Sequence, residues 1–322
     1  MEGIKVNKRP RLKSPYLICA WPGMGEVAFK AARYLADKLR AGEFAEIPAQ
    51  DFFYLTSSIV EKGVLAAPQL PYSKFYFWKN RSGEHDLIIF ISSAQPDLAR
   101  AQGYAQRIIN LAKDLKVHKV VTFASMPVAI EHTQQPGVWF TATDEGTNKE
   151  LEKFNLNLLS EGQISGMNGL FLGLARKEGL PGFCLLGEIP LYTIQIENPK
   201  ASGVLLEALG RILDLRLDLT DLAAQTQAME EEINKLLGFL KGGSADNPIG
   251  DEDIEKIKKS LSQLTKLPLS IKAKIDNLFN LAQKDISQAG LLKEELDKWS
   301  VYKEYEDRFL DLFKKRTKNN NN

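Results

Sequence analysis

The chain has 322 residues, 44% hydrophobic and 26% charged, which is an ordinary globular balance with room for more than one domain. Its 42 Lys and Arg nearly cancel 41 Asp and Glu, leaving a formal net charge of +1. A general nucleic-acid binder, which carries a basic excess or stripe, is not expected.

The cluster Lys5, Lys8, Arg9, Arg11 and Lys13 reads as a solvated lead-in to the first strand rather than a membrane or nucleic-acid arm. Tyr16–Trp21 is predicted as a buried strand. It is too short for a secretory signal or a membrane span and runs straight into Pro22-Gly23-Met24-Gly25. A helix is expected from Glu26 to about Leu39. Ile59–Leu65 and Phe75–Lys79 follow as antiparallel strands. Strand 87–92, helix 96–115, strand 119–124 and strand 138–143 come next, then a short helix near Asn148. A helix from Gly166 to Glu178 and strand 182–186 precede a last helix opened by Asn198-Pro199, an N-cap with proline at the first helical position. Strands this apolar belong in a sheet covered on both faces, giving a three-layer α/β/α sandwich. The two cysteines, Cys19 and Cys184, lie inside predicted strands and read as buried free thiols in a reducing, cytoplasmic setting.

Strand patterns stop near Leu217. Leu219, Leu222, Thr226, Met229, Ile233, Leu236 and Leu240 follow 3-4 spacing, a heptad stripe with one polar member that packs within the chain or between chains. Gly242-Gly243-Ser244 breaks it. Further helices are expected over 251–264, 269–282 and 289–315. The four terminal asparagines read as disordered. The expected division is 1–216 for the α/β/α domain, 217–318 for an all-helical appendage and 319–322 for the tail.

The sharpest motif is Gly23-Met24-Gly25-Glu26-Val27-Ala28, a G-x-G-x-x-A between strand and helix. In a dinucleotide fold its glycines admit a pyrophosphate to a helix N-terminus, and Glu43 or Glu46 falls near the ribose-binding distance. Against this, Pro22 stiffens the turn and Glu26 puts a carboxylate where a phosphate would sit. A second motif is Ile164-Ser165-Gly166-Met167-Asn168-Gly169. Ser165 lacks the G-x-S-x-G elbow of a nucleophile and reads as an N-cap, with Gly169 and Gly173 continuing a small-residue face. Glu188 stands at the carboxyl end of a buried strand, where open α/β sheets place ligands, or else binds backbone amides of a nearby loop. Ser92, Ser93, Gln95, Ser125, Thr141 and Thr143 also fall at strand ends, lining a polar cleft or terminating strands. His85, His118 and His132 form no ligand spacing, so no metal site, no cofactor and no catalytic residue is expected. The candidate cleft residues are Gly23, Gly25, Glu26, Ser93, Ser125, Thr143, Ser165, Gly166, Asn168 and Glu188.

Together these motifs resemble the proteasome assembly chaperone 2 family. The resemblance runs through Trp21-Pro22-Gly23-Met24-Gly25, Ile164–Leu170, Cys184–Tyr192 and Asn198–Ala201, covering roughly residues 14–215. It implies a phosphorylase/hydrolase-like α/β/α fold, homo-oligomers and a role in protein assembly, although some relatives carry an "ATP-grasp" label. Proteasome-docking members use a C-terminal hydrophobic-tyrosine-any tail. Lys314-Lys315-Arg316-Thr317-Lys318 and the asparagines do not match it, so the resemblance does not deliver the proteasome as partner. The expectation is a non-enzymatic assembly protein that self-associates, with a trimer as first choice, and that meets a protein client but neither nucleic acid nor membrane. The alternative is a small-molecule or nucleotide-binding enzyme using the strand-end cleft.

Overall fold

Apolar side chains at every position of the central strands decide the architecture. In β2 (Tyr16–Ala20) and β7 (Leu87–Ser92) every residue is buried, which only a sheet covered on both faces allows. The computed structural model describes residues 3–54, 58, 60–81, 83–241, 269–298 and 301–314. It divides into two compact units, Met1–Glu230 and Glu231–Asn322.

A nine-stranded mixed sheet forms the first unit. Its remaining strands are β1 (Lys5–Val6), β3 (Gly42–Glu46), β6 (Ser73–Trp78), β8 (Lys119–Val128), β9 (Val138–Ala142), β10 (Asn157–Leu158) and β11 (Gly182–Pro190). The spatial order is β1-β3-β6-β7-β2-β8-β11-β9-β10. The central four, β7, β2, β8 and β11, are mutually parallel, and antiparallel strands flank them on each side. Helices α1 (Val27–Lys38) and α5 (Pro199–Leu213) pack together on one face, while α2 (Ala101–Asp114) and α4 (Gly166–Lys177) cover the other. Strand alternation divides the core accordingly. Leu17, Cys19 and Trp21 join Phe90, Tyr104, Phe171 and Cys184 in one cluster under α2 and α4. The intervening Ile18 and Ala20, also fully buried, point to the other face.

Both thiols are buried and free. Burial pushes the Cys184 thiol up to about 12. Asn198 caps α5 as expected, its side-chain oxygen accepting from the Ala201 N–H at 2.9 Å with Pro199 in the first turn.

Several expectations need correction. Of the strand expected over 59–65, residues 60–65 do not pair with the strand beginning near Phe75. Its described residues fold on themselves as β4 (Val60–Glu61) and β5 (Val64–Leu65), a separate two-stranded sheet. Lys62 and Gly63 have φ of 49° and 81°, a two-residue turn that closes the hairpin locally. Strand β6 pairs instead with β7 and with β3, a strand not foreseen because only Phe44 and Ala45 of its five residues are buried. Strands β8 and β11 run beyond their predicted ends because they hold each other in parallel register through Val128 and Pro190. The single helix expected over 289–315 is two, Ala289–Lys298 and Tyr302–Lys314, with the Val301 N–H turning back to the Leu296 carbonyl at 3.0 Å.

From Leu222 onward the heptad stripe lies on α6 (Thr220–Lys241), with Leu219 just before it, and it is graded: Leu222 is buried and Leu236 is 52% exposed. In the second unit, helices Leu269–Lys284, Ala289–Lys298 and Tyr302–Lys314 bury Ile275, Phe279, Leu292, Leu296 and Phe309. Arg308 stacks on the Phe279 ring at 4.1 Å and bonds Asp276 at 2.5 Å. The helix expected over 251–264 and the terminal asparagines lie outside the described residues.

The chain between Asp218 and Glu230 gives a first prediction. Leu222 is buried, and Lys200 bonds Glu230 at 2.7 Å. A truncation ending at Glu230 should melt cooperatively. One ending at Asp218 should remain folded but lose about 1.5–3 kcal/mol, chiefly the burial of Leu222. Differential scanning calorimetry of the two truncations checks this. Equal stabilities would show that Leu222 contributes nothing to the α/β core.

Candidate functional site

The carboxyl ends of β2, β7, β8 and β11 meet where an open α/β sheet places its ligands. The chain leaves β2 through Trp21-Pro22-Gly23-Met24-Gly25, and two carboxamides hold that exit. Asn168, on the first turn of α4 and 5% exposed, accepts from the Trp21 N–H and donates to the Trp21 carbonyl, both at 3.1 Å. Gln95, after β7, donates to the Pro22 carbonyl at 2.7 Å and accepts from the Met167 N–H at 2.9 Å. One N–H at the start of α4, the kind an anion would need, is thus already bonded within the chain.

The glycine turn is similarly occupied. Gly25 (φ 63°) donates to the Ile194 carbonyl at 2.7 Å and accepts from the Asn198 N–H at 2.8 Å, joining the turn to the start of α5. A Cβ there would meet Asn198 and Val27 at 3.3 Å. Gly23 lies extended, its N-cap position facing the Asn168 amide at 3.6 Å for an added Cβ. Ser125 donates to the Met24 carbonyl at 2.8 Å, fastening the turn to β8. Glu26 is left-handed as well (φ 51°). Burial raises its carboxyl above the ordinary glutamate range, and the charge of Glu197 raises it further.

Glu188 serves the loop before β9. Its carboxylate accepts from the Gly137 N–H at 2.7 Å and from the Trp139 indole N–H at 2.8 Å, while its own N–H bonds the Gly137 carbonyl at 3.1 Å. The Gly137 bond is the backbone contact that one of the two readings of Glu188 expects. Ser93 accepts from the Tyr72 N–H at 3.0 Å and closes the β6–β7 pair. Ser165 is the N-cap of α4 by position but makes no side-chain capping bond. Gly166 (φ 71°) is needed because a Cβ would press on the Gln95 amide at 2.9 Å.

Thr143 does not belong to this group. Strand β9 runs antiparallel to β11, so its end meets Gly182, the first residue of β11, at the amino ends of the parallel strands. There the Thr143 hydroxyl accepts from the Gly182 N–H at 2.9 Å. The cleft residues that converge are therefore Gly23, Gly25, Glu26, Ser125, Ser165, Gly166 and Asn168, with Glu188 and Ser93 on flanking strands.

Two roles escaped the sequence reading. Gln95, read only as one of several strand-end residues, holds the joint together, because a lone glutamine in a loop carries no motif. The loop after β8 is stapled by Tyr192, whose hydroxyl accepts from the His132 N–H at 2.9 Å and donates to Glu131 at 3.2 Å, while Lys200 donates to the Thr133 carbonyl at 2.8 Å. These contacts join positions about 60 residues apart, beyond any local pattern. Among the described residues no three His, Cys, Asp or Glu side chains converge as a metal site, and no helix is long and apolar enough to cross a membrane.

Two predictions follow from this geometry. Glu188→Ala leaves the Gly137 and Trp139 N–H groups without their acceptor and should cost about 1–3 kcal/mol, with Glu188→Gln intermediate; urea unfolding checks this. For Glu26 the folded pKa is raised, so the fold is at no disadvantage below the ordinary pKa of 4.5 and carries the full penalty once pH passes the raised value. Glu26→Gln should raise the melting temperature near neutral pH, and the gain should vanish as pH falls through that window. A gain that persists in acid would assign it to something other than ionisation.

The comparisons with known proteins agree with this framework. Residues 17–237 match the model of the PAC2 family. The uncharacterized protein MJ1210 of Methanocaldococcus jannaschii is 24% identical over 258 residues, 79% of this chain and 96% of that protein. Among solved structures, Pyrococcus furiosus PbaB, an archaeal proteasome activator, is 26% identical with a TM-score of 0.63, covering 72% of this chain and 97% of its own. Pyrococcus furiosus PbaA, an archaeal homolog of proteasome-assembly chaperone, is 23% identical with a TM-score of 0.59 over 82% of this chain and all of its own. With more than half its length matched by the family model, on a fold shared with these structures, the chain belongs to the PAC2 family.

Proposed function

We propose that this protein acts by binding other proteins, as an assembly chaperone-like member of its family, without catalysing a reaction. The observation that carries the reading is the state of the strand-end groups. Gln95, Asn168, Ser125, Gly25 and Glu188, which a ligand or substrate would need, are bonded to the chain's own backbone. A site that performs chemistry keeps donors and acceptors aimed at empty space for the reacting atoms. Here they join β2, β7, β8, α4 and α5 into one rigid body, as suits a scaffold that presents surface. The relatives PbaB and PbaA, described as a proteasome activator and a homolog of proteasome-assembly chaperone, support a protein client. The same reading has the protein self-associate, with a trimer as the first choice, and work in the cytoplasm, where the buried thiols Cys19 and Cys184 would stay reduced.

Two measurements on the full chain test this. Light scattering at micromolar concentration should give a multiple of the 36.1 kDa chain mass, with three the expected value. A thermal-shift panel of nucleotides and nucleosides should leave the melting temperature unchanged. A saturable shift with one of them, lost in Gly25→Ala, would instead support an enzyme or ligand-binding protein using the strand-end cleft.

A further inference from the structure

The chain has only three histidines, and two of them meet, a pairing that their spacing in the sequence did not announce. His85 lies just before β7 and His118 just before β8, on either side of β2, so the parallel strands bring both to their amino ends. The two rings are parallel within 9°, with centres 5.1 Å apart. The Tyr16 ring, at the start of β2, meets them at steep angles, with centres at 4.8 Å and 5.6 Å. The backbone beneath is fixed. The His118 N–H donates to the Pro15 carbonyl at 2.8 Å, and the Tyr16 N–H donates to the Asp86 carbonyl at 2.9 Å.

Each imidazole keeps a nitrogen that the chain does not use. His85 Nδ1 lies 2.8 Å from the Ser14 carbonyl, which can only accept, so Nδ1 carries the proton and Nε2 of the neutral ring keeps its lone pair. A backbone carbonyl on the far nitrogen is the arrangement that orients a metal-binding histidine. Among the described residues nothing hydrogen-bonds the His118 ring. Partial burial, then the charges of His85 and Lys119, hold its pKa below the ordinary histidine value of 6.5, so this ring is neutral at pH 7. The charge of Lys119 is offset by its partner Glu150, which itself favours positive charge at His118. His85 is half-buried and His118 exposed, so solvent reaches the pair.

We propose that His85 and His118 together bind a divalent transition-metal ion of the zinc or copper class, with water in its other positions. Imidazole suits these ions, whereas magnesium and calcium take oxygen. Two imidazoles held at about 2.0–2.1 Å by one tetrahedral ion have ring centres about 5 Å apart, the separation already present. Binding therefore asks chiefly that the unbonded His118 ring rotate. The ion would clasp the starts of β7 and β8 across β2, at the end of the parallel strands away from Gly25 and Asn168. It is thus independent of the strand-end groups and of self-association.

The test uses the full chain without a histidine tag. Calorimetric titration with Zn²⁺ at about pH 7.5 should show one saturable site, and Mg²⁺ should show none. His85→Gln and His118→Gln should each weaken zinc binding about tenfold or more, while the metal-free variants still melt cooperatively. Binding should fade at about pH 5, where protons compete for the imidazole nitrogens. The wild-type chain loaded with Cu²⁺ gives a readout that needs no variant: its electron paramagnetic resonance spectrum should carry coupling from two imidazole nitrogens. Absence of saturable zinc binding, binding of wild-type strength in either variant, or a copper spectrum with fewer than two coupled nitrogens overturns the assignment.

Discussion

The first unit depends on how the chain leaves its central strand. Strand β2 sits in the middle of the nine, and its ladder with β7 and β8 ends at Ala20 although both neighbours run on. Trp21 is nevertheless fully buried. A buried peptide without partners costs several kcal/mol, so the exit needs a substitute for the lost pairing. The Asn168 carboxamide is that substitute, donating and accepting as a strand neighbour would. Because it stands on α4, the same pair of bonds sets where that helix begins over the sheet. Gln95 repeats the device one residue later and ties in the loop after β7. Both amides are neutral, so they satisfy the backbone without the desolvation cost that a charged group would bring.

This joint explains the glycines and small residues around it. Gly25 is left-handed and wedged between Val27, Ile189 and Asn198, and Gly166 is left-handed against Gln95. In each case a side chain would push directly on the groups that close the exit. The pattern that looks like a dinucleotide fingerprint also has a structural use. Glycine is required for close approach, and in this structure the approaching atoms belong to the chain's own α5 and loop. Glu26 fits the same account, since a half-buried carboxylate beside Glu197 opposes a bound anion.

Charge is used sparingly inside this framework. Glu188 is anchored by one amide and one indole N–H, and Lys119, 7% exposed, is paired with Glu150. Most other ion pairs of the unit, such as Lys5 with Glu46 and Lys113 with Glu178, lie on the surface and contribute little each. Packing of the aromatic cluster around Trp21, Phe90, Tyr104 and Phe171 carries the α2–α4 face.

The sequence by itself determined the sandwich, the positions of its central strands and the capped start of α5, because burial on both faces and capping are local requirements written in consecutive residues. It also determined the family, through Trp21–Gly25, Ile164–Leu170 and Cys184–Tyr192, whose residue types answer to close approaches in the fold. What it left open was which readings of those motifs apply. Whether Glu188 meets a ligand or an amide, and whether Gly25 faces a phosphate or Asn198, depends on neighbours 50 to 170 residues away. Thr143 was misplaced for a related reason: a strand-end residue declares its strand but not that strand's direction, and the antiparallel pairing of β9 with β11 carried it to the amino ends of the parallel strands. The self-pairing of 60–65 was decided by two left-handed residues competing with the sheet. Only the tertiary structure brings Gln95 to α4, since a single amide becomes a structural element only when two distant backbones arrive beside it.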